Sequence, residues 1–177
     1  YFVQAVADNP VEGQALIGMA VTVSGVVVAI FSPILGAVAD QTQKRKQWIL
    51  LFSVFFVIST SSLWYAEPNL KNTFWVLFAY TVGFIAADFS TVFTNAIMPS
   101  LEKPDKLGKL SGAGWGLGYL GGLVSLLIML GLFVEQENGL TLLGNNPALG
   151  LNASDREGTR IVGPLTAFWY FIFMIPF

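Results

Sequence analysis

Asp88 stands in the middle of a long apolar run, where an unpaired carboxylate would cost roughly 2.5–3.5 kcal/mol in lipid and must face something polar. A helix advances about 100° per residue, so positions 81, 88 and 95 fall almost on one line and position 91 lies about 60° away. Thr81, Asp88, Thr91 and Asn95 therefore make one polar stripe. Such a stripe suits a water-filled path in which Asp88 takes a proton or pairs with a cationic substrate. It equally suits a hydrogen bond or ion pair to a neighbouring helix, and the residues alone leave the choice open.

A second concentration of charge interrupts the apolar sequence at residues 32–48, where Asp40 is followed by Lys44, Arg45 and Lys46. The stretch reads as a tight turn between two membrane spans. Asp40 falls at the carboxyl end of the first of them, where the macrodipole already leaves partial negative charge, so one of the three bases is expected to answer it. Gly36, one turn earlier, would let a neighbouring backbone come close.

Much other chemistry is excluded. The chain has no cysteine and no histidine, which removes zinc and iron–sulfur sites built on those residues, a histidine-ligated haem, a thiol nucleophile and a Ser-His-Asp triad. No metal, cofactor or catalytic residue is expected, and the chain does not read as an enzyme. A formal charge of −2 gives no reason to expect a nucleic-acid partner. With 54% hydrophobic and 11% charged residues, against about 25% charged in a soluble domain, the expected partner is the lipid bilayer.

The elements that must carry these residues follow from the apolar runs. Residues 1–6 read as the end of a first span, closed by Asp8, Asn9 and Pro10, whose proline stops a helix. A second span covers 14–39, long enough at about 1.5 Å per residue to cross a core of about 30 Å, with Gly18 and Gly25 on one face and Pro33 able to bend it. Residues 48–66 form a third span, opening with Trp48 as an interfacial aromatic. The serines and threonine at 59–62 can bond back to carbonyls of the preceding turn. The fourth span is 74–98 and the fifth 110–134; 161–177 begin a sixth. Between the last two lies a polar loop, 135–160, in which Asn152, Ala153 and Ser154 fit a glycosylation triplet. Residues 1–177 thus read as one all-α transmembrane bundle whose first and last helices are incomplete.

The fifth span is rich in glycine, at about 1 kcal/mol each relative to alanine in a soluble helix. Gly114, Gly118 and Gly122 are four apart, as are Gly112 and Gly116. Two faces are stripped of side chains, and neighbouring helices can touch backbone to backbone. A phosphate-binding loop is not supported, because no strand precedes the run and no Lys-Ser/Thr ends it. The bases set the orientation. Lys44, Arg45, Lys46, Lys103, Lys106 and Lys109 fall on one side, Lys71, Arg156 and Arg160 on the other, and the basic side is expected to be cytoplasmic.

Residues 36–45 resemble the loop signature of the major facilitator superfamily, Gly-x-Leu-Ala-Asp-Arg-x-Gly-Arg-Arg/Lys. Gly36, Ala39, Asp40, Lys44 and Arg45 match it, Val38 stands for the leucine, and Gln41 and Gln43 replace an arginine and a glycine. Gly114, Gly118, Gly121 and Gly122 are similar to a glycine element of antiporters in that superfamily, with Tyr119 in place of its proline, and the fourth span lacks an arginine found in many relatives. Ser32-Pro33, Asn95-Ala96 with Pro99, and Ser111-Gly112 leading to Gly118 through Gly122 look like the branch related to the vacuolar amino-acid effluxer of autophagy and its bacterial relatives.

The resemblance implies the amino-terminal six-helix bundle of a secondary transporter, moving a small-molecule substrate such as an amino acid by alternating access. It also implies a carboxy-terminal half as partner, a bacterial inner-membrane setting, and a cytoplasmic latch at Gly36, Asp40, Lys44, Arg45 and Lys46. A different class stays open. A non-transporting scaffold or pigment-binding subunit would use the abundant Phe and Trp as surface, although the lack of histidine removes the usual axial ligand for a tetrapyrrole.

Overall fold

The computed structural model describes residues 1–7, 9–42, 44–68 and 73–175. Asp8 of the expected helix stop, Gln43 of the loop signature, Lys71 of the less basic side and residues 176–177 of the last span lie outside the described residues. Among the described residues helices are joined by turns and short irregular segments, and no strand is present.

Helix α1 (Pro10–Thr42) starts at a built cap. The Asn9 Oδ1 accepts the Val11 N–H at 2.8 Å and the Glu12 N–H at 3.4 Å, and Pro10 fills the first position, where no N–H is needed. Helix α2 (Arg45–Ser62) follows, then α3 (Phe74–Ile97) and α4 (Leu107–Leu132). A four-residue helix α5 (Glu157–Arg160) leads into α6 (Val162–Met174). Residues 1–7 contribute one π-helical turn, Phe2–Val6. Among the described residues four helices are long and apolar enough to cross a membrane: Pro10–Gln41, Arg45–Tyr65, Phe74–Ser100 and Pro104–Leu132.

Three helices begin before their apolar runs do, α1 at Pro10 rather than 14, α2 at Arg45 rather than 48, α4 at Leu107 rather than 110. First-turn N–H groups have no partner within the helix and face the aqueous boundary, so polar residues are tolerated there. Arg45 and Lys46 consequently belong to the first turn of α2 rather than to the turn before it.

Helix α3 is the hub, packed against both α1 and α2, while α6 lies on α2. The core joins Ala39, Ile49, Phe89, Phe93 and Ile97, with Trp48, Phe52 and Met174 packed around them. Trp48, expected as an interfacial aromatic at the head of the third span, stacks on Phe52 and Phe93 at 6.2 and 6.0 Å between ring centres. Phe52 continues the stack to Phe89 at 4.9 Å. Offset and tilted aromatic pairs of this kind add about 0.5–1.5 kcal/mol each beyond the area they bury.

Candidate functional site

The buried face of α3 is made by Val76, Ala79, Gly83, Ala86, Phe89, Ser90, Phe93 and Ile97. These recur every three or four residues and give α3 one side to set against α1 and α2. Asp88 lies roughly 180° around the helix from the centre of that face, counting about 100° per residue. Thr81 and Asp88 are half-buried; Thr91 and Asn95 are exposed. The Thr91 hydroxyl donates to the Ala87 carbonyl at 2.9 Å. No side chain among the described residues hydrogen bonds or pairs with Asp88. The stripe therefore exists as one surface, on the side of α3 that its packed neighbours leave uncovered.

At the end where α1 passes into α2, Arg45 is the base that answers Asp40. Its Nε and Nη2 donate to Asp40 Oδ1 at 2.9 and 2.6 Å, and its Nη1 donates to the Ala96 carbonyl at 2.7 Å. Ala96 lies in the last turn of α3, whose carbonyls lack helical partners. One guanidinium thus neutralises an acid at the end of α1 and caps the end of α3. The turns between α1 and α2 and between α3 and α4 share this end of the bundle. Asp40, Lys44, Arg45, Lys46, Gln47, Ile97 and Ser100 line a cavity of about 620 Å³ there. Among the described residues nothing outside its own helix turn lies within 4 Å of a Cβ built on Gly36.

The opposite end holds a polar cluster that sequence reading left without a role. Glu135 is 3% exposed; its Oε1 accepts a hydrogen bond from the Thr159 hydroxyl and lies 3.2 Å from Arg156 Nε. Arg156 adopts φ 56°, a left-handed backbone costing a non-glycine residue roughly 1–2 kcal/mol. Arg160, also buried, donates Nε to the Trp64 carbonyl at 2.7 Å and holds its guanidinium carbon 4.9 Å from the centre of the Trp64 ring. Its Nη2 lies 3.4 Å from Glu67. The charge pattern 135, 156, 160 was visible; nothing in it announced which partner each would take. Asn152 donates its amide to Asp155 at 2.6 Å and accepts from Ser154, so the Asn-Ala-Ser triplet builds a turn.

Between the two ends a hydroxyl chain ties three helices. Ser53 donates to the Ile49 carbonyl at 2.7 Å. Its proton is thereby committed, so Tyr170 donates to Ser53 at 2.8 Å and Ser90 donates to Tyr170 at 2.8 Å. Serines at 53 and 90 are ordinary in a helix, and only their convergence on Tyr170 gives them a role. Among the described residues nothing lies within 4 Å of a Cβ built on Gly114, Gly118, Gly121 or Gly122, and α4 packs chiefly against the two short turns that precede it. Close approach occurs at Gly83, where a Cβ would lie 3.3 Å from Ser59, and at Gly163, where it would lie 2.5 Å from the Thr60 carbonyl oxygen.

Among known proteins, an uncharacterized MFS-type transporter, YxiO, of Bacillus subtilis (strain 168) is 25% identical over 181 residues, covering 99% of this chain and 39% of that protein. An uncharacterized protein of Aquifex aeolicus (strain VF5) is 30% identical over 112 residues, covering 62% of this chain and 27% of that protein. The chain therefore spans less than two fifths of the length of these relatives. No solved structure matches. The family model described as MFS/sugar transport protein matches residues 12–176, nearly the whole chain and both the charged turn and the α3 stripe, and the chain belongs to that family of integral membrane proteins.

Proposed function

We propose that the protein containing this chain is a secondary transporter that moves a small solute across the membrane by alternating access, rather than an enzyme or a scaffold. The observation that carries this reading is the place of the stripe on α3. Asp88 faces away from α1 and α2, and a carboxylate left there against acyl chains would cost roughly 2.5–3.5 kcal/mol. A wet cavity removes that cost. In carriers built from paired bundles the substrate site lies near the bilayer midplane between the halves.

Within this reading Asp88 handles the substrate or a coupling ion, and Thr81, Thr91 and Asn95 line the same path. Asp40, Lys44, Arg45 and Lys46, with Gly36 beneath them, act as a latch against the carboxy-terminal half. Gly114, Gly118, Gly121 and Gly122 offer that half a surface for close backbone contact. The end carrying the two basic turns is cytoplasmic, by the excess of lysine and arginine there. Both relatives are bacterial, which supports a bacterial inner membrane. The solute is an amino acid or related metabolite on the resemblance of Ser32-Pro33, Asn95-Ala96 and the α4 glycines to the effluxer branch. The matched family's description names sugars instead.

The test is uptake into proteoliposomes holding the full-length protein, with panels of labelled amino acids and sugars. Saturable uptake of one class is expected, falling at least about tenfold in Asp88→Asn, a loss of roughly 1.4 kcal/mol or more of transition-state stabilisation, at unchanged protein level. Full activity in Asp88→Asn would reduce Asp88 to a helix contact. No saturable uptake, together with stoichiometric co-purifying subunits or a coloured cofactor, would favour the scaffold.

A further inference from the structure

Beyond the end of α4 the chain turns back on itself, and residues 133–150 are described throughout. The Leu142 N–H donates to the Leu130 carbonyl at 3.0 Å, one of the last-turn carbonyls that have no partner within the helix. Leu143 lies against the same turn, since a Cβ built on Gly131 would come 3.4 Å from its Cδ1. Glycines at both ends make the reversal, Gly139 at φ 78° and Gly144 at φ 77°. Yet Leu142 and Leu143 remain 60% and 65% exposed. We infer that residues 140–144 are an interfacial anchor, seating Leu142 and Leu143 in the acyl–headgroup boundary of the leaflet at this end of the bundle.

Depth, polarity and direction all favour lipid as the occupant. From Lys109, after which no charged residue occurs before Glu135, to Leu130 the helix rises about 32 Å, which an ordinary tilt of about 20° reduces to about 30 Å. The hydrocarbon core is about 30 Å thick. With Lys109 at one surface, Leu130 reaches the other, and the bond to Leu142 fixes the two leucines at that level. Backbone left open at such a depth would be costly, and here it is closed. The N–H groups of Leu140 and Thr141 donate to Asn138 Oδ1 at 3.0 Å and to the Asn145 carbonyl at 2.8 Å. Polar side chains flank the pair: Glu137, Asn138, Asn145 and Asn146 are all exposed, which suits the headgroup level. Gly131 lies roughly 125° around α4 from the centre of Gly114, Gly118, Gly121 and Gly122, counting about 100° per residue. Leu143 therefore does not stand on the face proposed above for the carboxy-terminal half. In water both leucines would stay wet, and at the acyl boundary they leave it.

The test uses the full-length protein with any native cysteines replaced, reconstituted in vesicles of palmitoyl-oleoyl phosphatidylcholine and phosphatidylglycerol. A nitroxide is attached in turn at Leu142→Cys, Leu143→Cys and Glu137→Cys, all exposed positions. Power saturation then reads its collision rates with oxygen, which concentrates in hydrocarbon, and with a neutral nickel chelate, which stays in water. Oxygen should exceed nickel at both leucines, and nickel should exceed oxygen at Glu137. A nickel excess at either leucine would put the loop in water and overturn the inference. Low rates with both probes would show the carboxy-terminal half covering the loop, and would overturn it too. An oxygen excess at Glu137 as well would sink the whole loop into hydrocarbon and overturn a seat at the boundary. None of these rates depends on transport, so the anchor can fail while the transport reading stands.

Discussion

The buried Glu135 and the half-exposed Arg156 form an unequal pair, and the inequality sets what each substitution costs. The Glu135 side chain is 1% exposed and that of Arg156 30%. Removing the base strands a carboxylate away from water, whereas removing the acid's charge leaves a guanidinium that still reaches solvent. Arg156→Gln is therefore expected to destabilise the full-length protein by about 3–5 kcal/mol, and Glu135→Gln by much less, since a neutral amide can still accept from Thr159. Thermal unfolding of the purified variants in detergent checks the order, and equal losses would show the pair to be solvated. Asp40 and Arg45 sit at the other extreme. The Asp40 side chain is 59% exposed, so that contact contributes about 0.2–1 kcal/mol to stability. The need for a base near Asp40 was legible from the helix dipole. That Arg45 would take the role, and not its two lysine neighbours, depends on its fork also reaching the Ala96 carbonyl, 51 residues away in the chain.

At the level of elements, the apolar periodicity that defines α3 also fixes which of its faces is polar, so the helix and the side carrying Thr81, Asp88, Thr91 and Asn95 could both be placed from the sequence. Helix contacts were not. Glycine spacing pointed to α4; among the described residues the glycines at which α3 and α6 press on α2 are Gly83 and Gly163, which stand alone in their helices. A lone glycine carries no pattern; it matters because Ser59 and Thr60 of α2 lie opposite. Alanine substitutions should separate the three cases. At Gly163 the new methyl meets a backbone oxygen at 2.5 Å, which cannot rotate away, so α6 must lift from α2 at a cost of about 1–3 kcal/mol. At Gly83 the nearest atom is a side-chain carbon at 3.3 Å, and a small shift relieves it. At Gly118 nothing is near within the described residues, and the helix gains up to about 1 kcal/mol in propensity. Unfolding of the full-length variants is expected to rank Gly163→Ala as the most damaging and Gly118→Ala as the least. A large loss at Gly118 would instead locate a tight partner for α4 elsewhere in the full-length protein.

For the whole molecule, no neighbour among the described residues packs on the stripe of α3 or on the glycine faces of α4, and the relatives extend well beyond the length spanned here. If the proposed latch operates, Asp40 reaches the carboxy-terminal half from a position 59% exposed, so its contact there falls in the same range as its pair with Arg45. A contact of about 0.2–1 kcal/mol that exists in only one conformation can shift a two-state ratio by at most about fivefold, since 1.4 kcal/mol is tenfold. Asp40→Asn should therefore bias the full-length protein toward the inward-open state by no more than about fivefold rather than lock it. Native cysteine is absent from these residues, so single reporter cysteines placed here need only cysteines elsewhere in the full-length protein removed. In Asp40→Asn a reporter near the cytoplasmic mouth should label faster and one near the opposite mouth slower, by matching factors. Arg45→Gln should move both rates in the same directions, because it removes the same pair. Unchanged rates in both variants, with α1 and α3 still docked, would leave Arg45 as a brace between the ends of two helices and place the latch elsewhere.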